Sequence, residues 1–175
     1  MNKTKAIIID IDNTIALEKK VKPLPTNNDR EAWDKYHAEM NFYDNSLHVP
    51  IKEIIDLISY FLNFNYDEVE VLFLTAREDT ECGLIKENTE KFIKTSFPLL
   101  QQQDFKLLMR PENDFRPSNQ VKEQILKEEI LPLYNIIMAF DDDENNIKMF
   151  INNGITALQV HSKDYYNFIK EDRGC

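Results

Sequence analysis

Lys5-Ala6-Ile7-Ile8-Ile9-Asp10-Ile11-Asp12-Asn13-Thr14 decides the fold. An unbroken isoleucine run has no polar face, so the strand it predicts over 5–11 must be covered on both sides. Four further apolar runs follow, at 69–75 (VEVLFLT), 105–109 (FKLLM), 136–140 (IIMAF) and 155–160 (ITALQV). Helical spacing fills the intervals. Ile51, Ile54, Ile55, Ile58, Phe61 and Leu62 follow Pro50, and Leu84, Phe92, Ile93 and Phe97 precede Pro98. Val121, Ile125, Leu126 and Ile130 share one face of 118–130, and a short helix over 143–151 stops at Asn153-Gly154. Strands separated by helices imply right-handed crossovers and a parallel sheet with helices on both faces. The predicted class is α/β, a doubly wound parallel sheet.

The stretch from about 18 to 49 breaks this alternation. Pro23, Pro25 and a polar run precede Trp33, Tyr36, Phe42 and Tyr43, and the pattern predicts an insertion of one loop and one helix with its own small core. The 175 residues suit one domain, 1–175, carrying that insertion. An apolar content of 42% excludes disorder, and no apolar run reaches the ~18 residues of a membrane helix. The first residues do not read as a signal peptide. Cys82 and Cys175 fit a reducing compartment, so a cytoplasmic protein is expected. The net charge of −10 argues against a broad basic nucleic-acid surface but permits a local pocket for one phosphate.

In open parallel sheets, ligands bind beyond the carboxyl ends of the strands. Asp10 and Asp12 end the first predicted strand, Thr75 and Arg77 the second, and Asp141 and Asp142 the fourth, while Lys122 is placed in the first turn of the helix after the third. Carboxylates so gathered repel unless a cation lies between them, and an all-oxygen set suits Mg²⁺. A lysine at a helix start opposes the macrodipole and makes sense beside an anion. Together these groups specify phosphoryl transfer. Asp10 is the expected nucleophile and Asp12 the acid and base. Thr75 and Lys122 are expected to hold phosphoryl oxygens, and Asp10, Asp12, Asp141 and Asp142 to form the metal site.

This constellation resembles the haloacid dehalogenase-like superfamily, whose phosphatases open with an apolar strand and Asp-x-Asp-x-Thr. Asp10, Asp12 and Thr14 match that motif, Thr75 the second, Lys122 the third and Asp141-Asp142 the fourth, across about 5–160. Thr75-Ala-Arg77, Leu108-Met-Arg110, Asp114-Phe-Arg116-Pro, Val121-Lys122-Glu and Phe140-Asp-Asp are similar to the phosphatase domain of polynucleotide kinase/3′-phosphatases and its stand-alone relatives. The resemblance implies that Arg77, Arg110 and Arg116 lie at or near the phosphate, and that the substrate is a nucleic-acid 3′ end. A nucleotide or other small phosphoester is the alternative substrate, and a catalytically inactive scaffold the alternative role. Asn13 stands where the group has Gly, and Asp143 where it has Arg; Asn tolerates left-handed backbone angles, and Asp143 is expected to cap the next helix. No G-x-x-x-x-G-K-[ST] kinase motif is present. His37, His48 and His161 are expected to be structural or surface residues, and the tail after 163 a solvated helix. The sequence leaves oligomeric state open.

Overall fold

The computed structural model describes residues 3–18, 48–65, 69–81, 83–101 and 104–162. The insertion from 19 to 47, Cys82 and the tail beyond 162 lie outside them.

Strands β1 (Thr4–Ile9), β4 (Val69–Asp79), β5 (Lys106–Pro111), β6 (Tyr134–Asp141) and β7 (Ala157–Gln159) form one sheet in the order β5-β4-β1-β6-β7. Every pairing in it is parallel. The isoleucine run is its central strand, as its two-sided hydrophobicity requires. Ile7 and Ile9 point to one face and Ala6 and Ile8 to the other, following the two-residue period of a strand.

On the Ile7 face lie α1 (Lys52–Asn65) and α2 (Leu84–Ser96), which contribute Ile55, Ile58, Leu62, Phe92 and Ile93. On the other lie α3 (Ser118–Ile125) and α4 (Glu144–Asn152), with Val121, Ile125, Met149 and Phe150. Burying each such side chain contributes about 1.5–3 kcal/mol, enough to hold the strand ends in fixed register. No helix among the described residues is long and apolar enough to cross a membrane.

Three details differ from the sequence reading. β4 continues to Asp79 because Glu78 and Asp79 pair with Arg110 and Pro111 beyond a register shift. The helix expected over 118–130 changes to a π turn at Leu126–Ile130, closed by Leu131 N–H to Leu126 O at 2.8 Å. The wide turn keeps Ile125, Leu126 and Ile130 all buried before the chain enters β6.

Third, the edges of the insertion form a hairpin. After β1 the chain turns through Asn13, whose φ of 59° is left-handed, with Asn13 N–H donating to Ala16 O at 2.8 Å. It then runs into β2 (Ala16–Glu18), which pairs antiparallel with β3 (His48–Pro50) in the register Ala16↔Pro50, Leu17↔Val49 and Glu18↔His48.

Candidate active site

The C-terminal ends of β1 and β6 are neighbours because these strands pair directly; Asp10 N–H extends the ladder to Phe140 O at 2.9 Å. Carboxylate oxygens of Asp10, Asp141 and Asp142 accordingly lie within 4.8 Å of one another. Lys122 reaches this group from α3. Its Nζ donates to Asp10 Oδ1 and to Asp141 Oδ2, each at 2.7 Å, and its side chain is 2% exposed. Thr14 Oγ1 donates to the other Asp10 oxygen at 3.0 Å.

The electrostatics follow from burial. Burial pushes the Asp10 carboxyl up to about 8; Lys122 opposes the shift, while Asp141, Asp12 and Asp142 add to it. Burial and then Asp141 push Asp142 up to about 7. For Lys122, burial works against the charge, but Asp10 and Asp141 outweigh it and hold the ammonium above the usual lysine range. One buried cation thus leaves the three carboxylates short of positive charge. An all-oxygen donor set in that condition fits a hard divalent cation such as Mg²⁺.

Asp12 occupies a separate fork. Arg77, on β4, donates Nη2 to Asp12 Oδ1 at 2.7 Å and Nε to Oδ1 and Oδ2 at 3.2 and 3.0 Å. Burial alone would raise Asp12, but the charge and hydrogen bonds of Arg77 outweigh it and hold the carboxyl below its usual range, with smaller contributions from His48 and Lys122. Arg77 is itself fixed, by Nη1 donating to Thr89 Oγ1 at 2.9 Å and by its backbone N–H donating to the buried Thr75 Oγ1 at 3.2 Å. The sequence grouped Asp12 with the metal ligands. The structure brings Asp10, Asp141 and Asp142 together and commits the Asp12 side chain to Arg77.

Arg110 and Arg116 serve the β5–α3 loop. Arg110 donates to the backbone carbonyls of Ala76, Asp114 and Arg116 at 2.9, 2.6 and 2.7 Å. Arg116 pairs with Asp114 and donates to Gln124 Oε1 at 2.6 Å. Hydrogen bonds from Arg116 draw Asp114 down to about 2. Lys122 is the fifth residue of α3, in its second turn and not its first. Its two bonds go to carboxylates, so the dipole argument for its position does not apply.

Asp143 caps α4 as expected, accepting from the backbone N–H groups of Asn145 and Asn146 at 2.6 and 3.2 Å. Sequence reasoning missed Asn146, whose Nδ2 donates to both Asp141 oxygens at 2.9 and 3.2 Å. It also missed Thr89 and His48. The last is buried, with Nε2 3.8 Å from Asp12 Oδ1.

The sequence model of the family described as "Polynucleotide kinase PNKP phosphatase domain" matches residues 4–165. The structure of the Pnkp1/Rnl/Hen1 RNA repair complex contains a chain 24% identical, with a TM-score of 0.65, covering 90% of this chain and 42% of that one. A second structure of the Pnkp1/Rnl/Hen1 complex gives 24% identity, a TM-score of 0.64 and coverage of 90% and 46%. The haloacid dehalogenase-like hydrolase SP0104 from Streptococcus pneumoniae is 13% identical, with a TM-score of 0.53 over 90% of this chain and 85% of that one. At these identities the likeness is one of fold. This chain spans under half the length of the two repair-complex chains. No curated protein matches it.

Proposed function

From the premise that this chain belongs to the polynucleotide kinase PNKP phosphatase-domain family, we propose that it is a Mg²⁺-dependent phosphomonoesterase working through an aspartyl-phosphate and acting on nucleic-acid 3′ ends. The observation that carries the reading is the buried cluster of Asp10, Asp141, Asp142 and Lys122 at the carboxyl rim of the sheet. Haloacid dehalogenase-like phosphatase chemistry needs these groups in one place.

An Asp10 oxygen attacks phosphorus as the sugar oxygen departs, giving an acyl phosphate on Asp10. Thr14, bonded to Oδ2, and Lys122, bonded to Oδ1, fix the plane of that carboxylate. Protonated Asp12 gives its proton to the leaving oxygen, and its carboxylate then draws a proton from the water that cleaves the acyl phosphate. Arg77 favours the carboxylate form, which suits the second step; a phosphate dianion bound beside Asp12 opposes Arg77 and favours uptake of the proton that the first step needs. Thr75 and Lys122 hold phosphoryl oxygens; Arg110 and Arg116 support the loop beside them. Asp10, Asp141 and Asp142 would hold Mg²⁺, which when bound neutralises charge on the phosphoryl oxygens.

Two findings support a nucleic-acid end as substrate: the family itself, and the likeness to a chain of an RNA repair complex. The net charge of −10 and Asp143 at the rim favour gripping an end over gripping a length of strand. They also supply the second reading, a phosphatase of nucleotides or small phosphoesters. The domain is read as one unit bearing a small insertion between β2 and β3.

The test compares 3′-phosphorylated oligonucleotides, mononucleotides and 4-nitrophenyl phosphate, with Mg²⁺ and with chelator. Preferred turnover of oligonucleotides, dependent on Mg²⁺ and abolished in Asp10→Asn, is expected. Equal turnover of mononucleotides would replace the first reading by the second. Full activity of Asp10→Asn would remove the mechanism.

A further inference from the structure

His48 enters the site from outside the sequence motifs. It lies in β3, opposite Glu18 of β2, and the strand is tied down beyond it by Ile51 N–H to Ile15 O at 2.8 Å. Its imidazole stands edge-on to Phe92, with centroids 6.2 Å apart, and the side chain is 3% exposed. The ring is therefore held by the hairpin backbone on one side and by the core on the other.

The two oxygens of Asp12 are not equivalent. Oδ1 takes Arg77 Nη2 at 2.7 Å and Nε at 3.2 Å, and His48 Nε2 stands 3.8 Å from it. Oδ2 takes Arg77 Nε at 3.0 Å. The Asp12 side chain is 33% exposed, so solvent reaches it. Three of these four contacts fall on Oδ1 and one on Oδ2.

We propose that His48 is a positioning residue: with Arg77 it pins Asp12 Oδ1 and so assigns proton exchange with the leaving group and the water to Oδ2. The inference deepens the proposed function and rests on its reading of Asp12 as acid and base. His48 touches neither substrate nor phosphorus; it acts through Asp12. The effect must therefore scale with the need for a proton. A sugar hydroxyl leaves poorly as an alkoxide and requires the acid, whereas 4-nitrophenolate leaves without one.

The experiment measures kcat/KM of wild type, His48→Ala, His48→Gln and Asp12→Asn on a 3′-phosphorylated oligonucleotide and on 4-nitrophenyl phosphate, with saturating Mg²⁺; this ratio reports departure of the leaving group and not the later hydrolysis common to both substrates. Thermal melts establish that each variant is folded. Both His48 variants are expected to lose about 10- to 100-fold in kcat/KM on the oligonucleotide, less than the full worth of an acid. On 4-nitrophenyl phosphate kcat/KM changes little. Asp12→Asn should show the same selectivity more strongly. Equal losses on both substrates, or none on either, would overturn the role of His48 while leaving that of Asp12 intact. If Asp12→Asn itself shows no selectivity, the reading of Asp12 fails and the inference with it. Should His48→Ala unfold, His48→Gln decides alone.

Discussion

Arg77 and Asp12 meet as a planar fork, with Nη2 to Oδ1 at 2.7 Å and Nε to Oδ2 at 3.0 Å. The guanidinium matches a carboxylate at two points; an ammonium cannot. Arg77→Lys should therefore keep the fold and charge but lose about 100-fold in kcat/KM on alkyl phosphates, since the acid is no longer oriented. Arg77→Ala should in addition lower stability by about 1–3 kcal/mol, the loss expected when a partly buried charge loses its partner. Steady-state kinetics and denaturant titration read the two effects separately.

Lys122 carries a larger structural burden. Its removal leaves Asp10 and Asp141, both buried, without their shared cation. Lys122→Ala should lower stability by about 3–5 kcal/mol, as when a buried ion pair loses one partner. Activity should fall at least 100-fold, with the loss of a charged transition-state contact. Mg²⁺ should restore part of the stability and none of the activity. Unchanged kinetics would remove Lys122 from the phosphate site.

Asn146 orients Asp141 through both of its oxygens. Groups that steer a ligand typically contribute 10- to 100-fold in metal affinity. Asn146→Ala should raise the Mg²⁺ concentration for half-activation by about that factor, with kcat at saturating Mg²⁺ close to wild type. A Mg²⁺ titration of the initial rate checks this.

The acidic cluster also sets a pH dependence. Folding raises the Asp10 carboxyl to about 8 and Asp142 to about 7, from an ordinary 3.8. Between those limits the folded protein binds more protons than the unfolded chain, so metal-free stability falls as pH rises through the window. Asp12 works elsewhere: held low by Arg77, its contribution is complete above the ordinary value and fades only in stronger acid. Melts in chelator should give a lower Tm at about pH 8 than at about pH 5.5. Mg²⁺ should raise Tm more at the higher pH, because the metal displaces protons. A metal-free Tm that climbs across this window would contradict the assignment.

The parts of the site that lie at strand ends were legible in the sequence. An isoleucine run ending in Asp10, and IIMAF ending in Asp141-Asp142, could only be buried strands delivering carboxylates to one rim. What escaped depends on acceptors that sequence does not mark. Arg110 binds backbone carbonyls, which every residue has, so its role in the loop left no trace in composition. His48 was hidden because β2 and β3 have three residues each and one ends in proline, too little for any periodicity. Lys122 was recognised by type but placed one turn too early: the helix begins at Ser118 as read, and Lys122 is its fifth residue.

The β2–β3 pairing has an engineering consequence. Glu18 and His48 are register partners, so these two points of the chain are adjacent although thirty positions apart in sequence. The pairing is thus a socket: joining Glu18 to His48 by a short turn should leave β1 paired with β4 and β6 and Asp10 in place, provided that the two residues stay in register.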